Sequence, residues 1–156
     1  MKLQKTLRRL QKLHPKEIDL SLNRIKKLCL KLGNPQNNLD CISIVGTNGK
    51  YSTIQTMRSV LDESGINYNV YTSPHLKRIN ERFVYNSKEI DDDSLSDLLS
   101  EVERINSNEP ITFFEILTAA FFYGAKNFSK NINLIEAGLF HRFDATNVLK
   151  KNLINI

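Results

Sequence analysis

A short glycine-bounded segment, Gly46 to Lys50, contains residue types that bind phosphate groups. It follows the apolar run 42–45 and precedes a helical pattern, so the order is strand, loop and helix. Glycines allow a tight turn in which backbone N–H groups converge on phosphate oxygens, and Lys50 places an ammonium group beside them. The N-terminus of the following helix adds its positive end. These residues predict a loop that holds the phosphates of a nucleotide.

The spacing in this loop differs from the commonest phosphate loop, in which four residues precede a Gly-Lys pair and Ser or Thr follows it. Here two residues separate Gly46 from Gly49, Tyr51 follows the lysine, and the hydroxyls come later, at Ser52 and Thr53. A glycine-rich turn that binds no ligand is the alternative. The loop pattern alone leaves both interpretations open.

The composition is that of a folded domain rather than a disordered chain. The 156 residues are 40% hydrophobic and 25% charged, which fits one domain with a sizeable core. No apolar run is long enough to span a bilayer, and the N-terminus lacks the apolar centre of a secretory signal. Cys29 and Cys41 form no CxxC pair. We therefore expect a cytoplasmic protein with reduced thiols and no contact with a membrane.

The net charge of +5 is concentrated at the N-terminus, where residues 1–16 contain six cations and no acid. Leucines recur there at helical spacing, which predicts an amphipathic first helix with a solvated basic face. No module that reads nucleic acid accompanies the basic segment, so we expect no nucleic-acid partner.

Strand and helix patterns alternate along the chain. They predict an α/β fold of the P-loop type, with a mostly parallel sheet and helices on both faces. The acidic run 91–93 precedes a predicted helix and is interpreted as capping rather than as a metal site. The predicted helices are 19–32, 50–64, 94–106 and 113–127, the predicted strands are 41–45, 68–71, 131–135 and 153–156, and a hairpin is predicted around Asn86-Ser87.

Several further motifs follow the phosphate loop in a specific order. They are Tyr71-Thr72-Ser73-Pro74-His75-Leu76, Asn80-Glu81-Arg82, Thr112-Phe113-Phe114-Glu115, Glu136-Ala137-Gly138-Leu139 and Asp144-Ala145-Thr146-Asn147-Val148. With the loop, this order and spacing resemble the N-terminal part of folylpolyglutamate synthase/dihydrofolate synthase, within the Mur ligase superfamily. The resemblance runs from about His14 to the last residue.

The resemblance implies an ATP-dependent ligase. Such an enzyme joins the carboxylate of dihydropteroate or tetrahydrofolate to the amino group of L-glutamate through an acyl phosphate. Activation by ATP is needed because a carboxylate is a poor electrophile near neutral pH. The protein then positions the reactants and neutralises phosphate charge with lysine and Mg²⁺. The resemblance further implies small-molecule partners and a monomer in the full-length protein.

The resemblance also assigns roles to individual residues. It implies that ATP is held by Thr47, Asn48, Gly49, Lys50 and Ser52, that Mg²⁺ is bound by Ser73 and Glu136, and that Lys50 and His75 are catalytic. Hydroxyl and carboxylate oxygens suit Mg²⁺. Their alternatives are a turn hydroxyl for Ser73, a helix cap or surface acid for Glu136, and a loop-orienting role for His75.

The substrate side of the resemblance is a pterin site. Aromatic rings can stack on a flat pterin, and a carboxylate can accept its N–H groups. The alternative for Phe113 and Phe114 is a place in the core. The implied residues are Ile18, Asp19, Leu20, Ser21, Ile111, Thr112, Phe113, Phe114, Phe143, Asp144 and Ala145.

This sequence departs from the family pattern at several places. Tyr51 stands where the family usually has glycine, Phe140-His141 replaces Gly-Gly, and Ala137 replaces a branched residue. The family also continues with a third metal ligand, a carbamylated lysine and a C-terminal domain. We therefore expect residues 1–156 to be an incomplete N-terminal ATP-binding domain that is inactive alone. The alternatives are a non-catalytic nucleotide-binding remnant and a ligase of cell-wall precursors.

Overall fold

The structure, a computed structural model, describes residues 2–14, 21–138, 144–149 and 152–155. Helices and strands are interspersed along these residues, in the order that the sequence predicts. The α-helices are α1 (Lys2–Leu13), α2 (Asn23–Lys31), α3 (Lys50–Glu63), α4 (Asp92–Asn106) and α5 (Phe113–Ala125). The strands are β1 (Cys41–Ile44), β2 (Tyr68–Tyr71), β3 (Phe83–Tyr85), β4 (Lys88–Glu89), β5 (Ile132–Glu136) and β6 (Asn152–Asn155).

The described strands form one six-stranded sheet in the order β4-β3-β2-β5-β1-β6. Strands β2, β5, β1 and β6 run parallel to one another, whereas β3 is antiparallel to β2 and forms an antiparallel hairpin with β4 at one edge. The central position of β1 and β5 brings the carboxyl ends of three parallel strands, β2, β5 and β1, together. In open α/β sheets this is the edge at which ligands bind.

Helices cover both faces of the sheet, which confirms the predicted architecture. Alternate residues of each strand point to opposite faces, so two separate cores form. The larger core contains Tyr71, Phe83 and Phe121 and lies beneath α1, α2, α4 and α5. The smaller core contains Ile44, Ile54 and other residues packed beneath α3. Helix α3 therefore rests on the sheet directly after the phosphate loop.

The basic first helix packs on α4 rather than only facing solvent. Lys2 pairs with Asp97 at 2.5 Å, and Arg9 pairs with Glu103 at 2.5 Å. Beneath these pairs the hydroxyls of Thr6 and Ser96 lie 3.0 Å apart in a buried contact. Part of the basic face that the sequence predicts to be solvated therefore pairs with the acidic face of α4.

Most local predictions are confirmed. Thr112 and Glu115 form the predicted capping box, and Asp91 caps α4 by accepting a hydrogen bond from the Ser94 N–H. Asn86 and Ser87 turn the hairpin with positive φ angles of 50° and 65°.

Among the described residues, no helix is long and apolar enough to cross a membrane. None of their His, Cys, Asp and Glu side chains form a cluster of three or more that could hold a metal.

One helix start was predicted wrongly. The sequence predicts a helix over 19–32, but α2 begins at Asn23, with Leu22 in the cap position. The Ser21 hydroxyl accepts a 3.3 Å hydrogen bond from the Asn23 N–H, so it supports the turn just before the helix. Asp19, the other expected cap, lies outside the described residues.

Candidate nucleotide and metal site

Strand register places the proposed phosphate and metal residues at one edge of the sheet. Ile44, the last residue of β1, lies opposite Glu136 of β5. Tyr71, the last residue of β2, lies opposite Ile135. The phosphate loop follows β1 and Ser73 follows β2, so both segments meet Glu136 at the carboxyl ends of the strands.

A direct hydrogen bond joins two of these segments. The backbone N–H of Ser73 donates to Oε2 of Glu136 at 3.0 Å. Glu136 is only 6% exposed, and burial raises the pKa of its carboxyl group. The Ser73 hydrogen bond and the charges of Lys50 and Arg82 lower that pKa and offset part of the rise. Burial therefore has the larger effect on this carboxyl group, and Lys50 and Arg82 act against it by favouring the charged form.

The phosphate loop has the backbone that its glycines permit. Gly49 is the cap residue of α3 and has a φ of +79°. A Cβ at this position would meet no atom within 4 Å, so the conformation of the backbone, not lack of space, requires glycine. The Lys50 ammonium donates to the carbonyl oxygen of Gly46 at 2.8 Å, which folds the side chain over the loop. Thr47, Asn48 and Ser52 are exposed around it.

Tyr51 directly follows Lys50 and lies on the exposed surface of α3. Its side chain is 52% exposed and lines a groove of about 290 Å³ between α3 and the segment after β2. Gln55, Thr72 and Pro74 also line this groove. The large side chain in place of the family glycine therefore leaves the backbone around Gly49 and Lys50 intact.

His75 is held by an arginine. The Nε–H of Arg82 donates to Nδ1 of His75 at 3.0 Å. Burial and the Arg82 charge both lower the pKa of the imidazole, so it is neutral near pH 7 and carries its proton on Nε2. The ring also lines a cavity of about 340 Å³ between α1 and Phe113. This arrangement supports the loop-orienting role, and a catalytic role for His75 stays a prediction.

The predicted pterin residues at the start of α5 serve different purposes. Ile111 is buried in the larger core, and Thr112 caps the helix through its hydroxyl. Phe113 lines the cavity of about 340 Å³ beside α1. Phe114 packs on Tyr71, with 6.4 Å between the ring centroids. Phe113 is therefore the better placed of the two rings to meet a ligand.

The other predicted pterin residues are only partly described. Asp144 is buried, and its Oδ2 accepts the Thr146 N–H at 3.0 Å as well as the Thr146 hydroxyl. Ala145 is also buried, and Ser21 lies before α2. Ile18, Asp19, Leu20 and Phe143 lie outside the described residues, as do Phe140 and His141.

The donor set at the sheet edge fits Mg²⁺. The Ser73 hydroxyl and the Glu136 carboxylate are hard oxygen ligands, and Mg²⁺ usually takes one or two carboxylates together with phosphate oxygens and water. Glu136 also lies close enough to Lys50 for that charge to lower its pKa. A cation between the Glu136 carboxylate and the phosphate loop would therefore lie between two negatively charged groups, the carboxylate and the phosphates that the loop is predicted to hold.

An ion pair that no sequence pattern indicates joins α2 to α5. Arg24 donates to both carboxylate oxygens of Glu115, from Nε at 3.0 Å and from a terminal nitrogen at 3.2 Å. The same arginine reaches the carbonyl oxygen of Ser21 at 3.4 Å. Glu115 also closes the capping box of Thr112. One carboxylate therefore links two of the predicted pterin segments.

Comparison with known proteins identifies relatives of this chain, although no family model matches it. Dihydrofolate synthase/folylpolyglutamate synthase of Bacillus subtilis is 38% identical over 136 residues, which are 83% of this chain and 32% of that protein. The Escherichia coli protein of the same name is 33% identical over 140 residues, or 90% of this chain and 33% of that protein. The chain is related to the N-terminal portion of this family.

Solved structures of the folylpolyglutamate synthase/dihydrofolate synthase family share the fold. E. coli FolC in complex with DHPP and ADP matches with a TM-score of 0.88 at 31% identity, over 97% of this chain and 37% of that one. The Yersinia pestis enzyme complexed with AMPPNP and Mn ion matches with a TM-score of 0.86 at 30% identity, over 97% and 38%. The fold class is confirmed, and the chain spans about a third of the length of these relatives.

Proposed function

We propose that this chain forms the nucleotide- and metal-binding part of an ATP-dependent ligase that joins a folate-type carboxylate to L-glutamate. The convergence of the phosphate loop, Ser73 and Glu136 at one sheet edge carries the proposal. The relatives that match the chain are named for folate synthesis, which favours a pteroate-type substrate over a cell-wall precursor.

In this proposal, the chain binds ATP through the phosphate loop. Lys50 exchanges its bond to the Gly46 carbonyl for the outer phosphates, and backbone N–H groups of residues 47–49 face the same oxygens. The N-terminus of α3 adds its positive end. Together these groups hold the γ-phosphate in place and spread its charge, which is what phosphoryl transfer requires.

The Ser73 hydroxyl and the Glu136 carboxylate would hold Mg²⁺. When bound, the ion neutralises the charge that develops on the phosphate oxygens. The chain orients the carboxylate for this purpose, because the Ser73 N–H fixes Oε2 of Glu136 at 3.0 Å. Burial of Glu136 also strengthens its attraction for a cation.

The folate-type substrate would lie beside α5. Phe113 offers a ring for stacking, and Asp144 offers a carboxylate to the N–H groups of a pterin. The carboxylate of the substrate would take the γ-phosphoryl group of ATP, leaving ADP, and the glutamate amine would then attack this acyl phosphate and displace inorganic phosphate. Because the chain spans about a third of its relatives, we assign ligation to the whole protein. Binding of metal and nucleotide is the activity to test in these 156 residues.

The experiment is a calorimetric titration of the chain with AMPPNP, in Mg²⁺ and in EDTA. We expect Mg²⁺ to increase the affinity, and Lys50→Ala to reduce it by at least tenfold. Lys88→Ala is the matched control, because it removes the same charge from the exposed strand β4 at the far edge of the sheet. Equal affinity in wild type and Lys50→Ala would remove the phosphate-loop assignment.

A second titration separates the substrate classes. We expect pteroate to bind the AMPPNP-loaded chain and a muramyl precursor not to bind it. Preference for the muramyl compound would support the cell-wall alternative instead.

A further inference from the structure

The segment that carries Ser73 and His75 leaves β2 and returns to the sheet at β3. We name residues 72–78 the β2 loop. Its outer part is exposed, with Leu76 78% accessible. A short 3-10 turn, Ile79–Arg82, follows the loop and leads into β3. Two polar side chains of that turn contact the β2 loop, and the third contacts the residues that lead into α4.

Glu81 binds the backbone of the β2 loop. Its carboxylate accepts hydrogen bonds from three consecutive N–H groups: those of Leu76 at 2.7 Å, Lys77 at 3.0 Å and Arg78 at 2.9 Å. A charged acceptor makes such bonds stronger than a neutral one. The glutamate therefore sets the path of the loop at its most exposed point.

Arg82 and the backbone of Glu81 bind the first half of the same loop. The Arg82 Nε–H donates to Nδ1 of His75 at 3.0 Å. The backbone carbonyl oxygen of Arg82 accepts a hydrogen bond from the Thr72 N–H at 3.3 Å. The Thr72 hydroxyl donates to the carbonyl oxygen of Glu81 at 3.2 Å. Ser73 thus lies between Thr72 and His75, both of which the turn holds.

Asn80 anchors the turn to the body of the protein. It is 2% exposed, and its amide donates to the carbonyl oxygen of Ile90 and to Oδ1 of Asp92, both at 3.0 Å. These partners lie at the end of the hairpin and in the first turn of α4. The turn is therefore fixed on one side and holds the β2 loop on the other.

We propose that Asn80, Glu81 and Arg82 are positioning residues that hold the β2 loop so that Ser73 faces Glu136. Through that loop they set the affinity for the metal–nucleotide complex. This inference rests on the proposed function, because its readout is the effect of a divalent cation on nucleotide binding.

Glu81→Gln is the test variant, since it keeps the size of the side chain but loses the charge that three N–H groups share. Glu89→Gln is the matched control. Glu89 lines the same groove as Glu81, and among the described residues its carboxylate accepts a hydrogen bond from the side chain of Arg78, at 2.6 Å, rather than from the backbone of the β2 loop. Both variants remove one negative charge from the same region, so a general electrostatic effect would appear in both.

The measurements are AMPPNP affinity with Mn²⁺ and with EDTA, the Mn²⁺ signal in electron paramagnetic resonance, and the urea midpoint. We expect Glu81→Gln to weaken binding about tenfold with Mn²⁺ and to leave the affinity in EDTA unchanged. Glu89→Gln should bind AMPPNP as tightly as wild type, both with Mn²⁺ and in EDTA. Equal AMPPNP affinity of Glu81→Gln and wild type in the presence of Mn²⁺ would overturn the inference. The inference would also be overturned if Glu81→Gln lost as much AMPPNP affinity in EDTA as it lost with Mn²⁺.

Arg82→Lys provides a second variant that keeps the positive charge. Lysine lacks the planar Nε–H that holds His75, so we expect the ¹⁵N shifts of the imidazole to change and the Mn²⁺-dependent affinity to fall. Unchanged shifts and affinity would overturn the role of Arg82. If wild type itself shows no gain in affinity with Mn²⁺, the proposed function fails first, which the wild-type titration alone reveals.

Discussion

Ser73 and Glu136 are 63 residues apart in sequence, yet the backbone N–H of one donates to the carboxylate of the other at 3.0 Å. The contact forms because β2 and β5 are parallel neighbours and each residue lies where its strand ends. Oε2 accepts the N–H of Ser73, and a carboxylate has a second oxygen that can bind a cation. The pair therefore combines a structural bond with a candidate metal ligand.

Glu136→Gln should separate folding from metal binding. Glutamine can still accept the Ser73 N–H, but a charge that burial disfavours is removed. We expect the urea midpoint of the ligand-free chain to be unchanged or higher, and the gain in AMPPNP affinity from Mg²⁺ to fall at least tenfold. Glu63→Gln, at the exposed end of α3, is the control. Retention of the full Mg²⁺ effect would contradict the assignment of Glu136 as a metal ligand.

The ion pair between Arg24 and Glu115 should contribute measurably to stability. It is largely buried, with side-chain exposures of 21% and 6%, and Glu115 also accepts the Thr112 N–H. Removal of either partner leaves the other charge poorly solvated. We expect Arg24→Met or Glu115→Gln to lower the free energy of unfolding by about 1–3 kcal/mol.

A double-mutant cycle in urea measures the coupling between Arg24 and Glu115. The control cycle uses Arg104 and Glu101, an exposed pair at 2.7 Å on α4, where we expect no measurable coupling. Equal coupling energies in the two cycles would show that burial does not strengthen the α2–α5 link.

Gly138 should be needed for the position of Asp144. A Cβ on Gly138 would clash with Oδ1 of Asp144 and lie 3.2 Å from its Cγ. Gly138→Ala therefore forces Asp144 to move, and we expect a loss of stability of about 1–3 kcal/mol. If Asp144 binds the pterin, affinity for pteroate falls as well, while AMPPNP affinity is retained.

Gly65→Ala is the matched control for Gly138→Ala. Gly65 has a φ of +67° but open space around it, so alanine there adds backbone strain without a clash. An equal effect of both variants on pteroate affinity would count against a ligand role for Asp144.

A buried amide pair should hold β2 and β5 in register. Asn69 and Asn133 lie directly opposite each other, and both are 0% exposed. The Asn69 amide donates to Oδ1 of Asn133 at 2.9 Å. We expect Asn133→Leu to lower the free energy of unfolding by about 1–3 kcal/mol, because it leaves buried polar groups without this partner.

Unfolding in urea, followed by circular dichroism, checks the loss for Asn133→Leu. The double variant Asn69→Leu/Asn133→Leu should lose less than the sum of the single variants. Asn67→Leu, at an exposed position before β2, should change little. Strict additivity at Asn69 and Asn133 would indicate that the two amides act independently.

Local structure was largely predictable from the sequence, because its causes lie within a few residues. Thr112 and Glu115 are three positions apart, as are Asp91 and Ser94, and a side chain at such spacing can reach the free N–H groups of a helix start. The positive φ of Gly49 likewise follows from its own residue type and the turn it must make. The start of α2 was the exception.

The sequence by itself determined the order of strands and helices, the glycine-bounded turn at residues 46–50 and the resemblance that pairs Ser73 with Glu136. Only the tertiary structure showed that Arg24 binds Glu115, that Glu81 holds the β2 loop and that Tyr51 turns outward. Hydrophobic periodicity shows which face of an element is buried. The partner of a charged side chain depends instead on strand order and loop path, which bring together residues as far apart in sequence as Arg24 and Glu115.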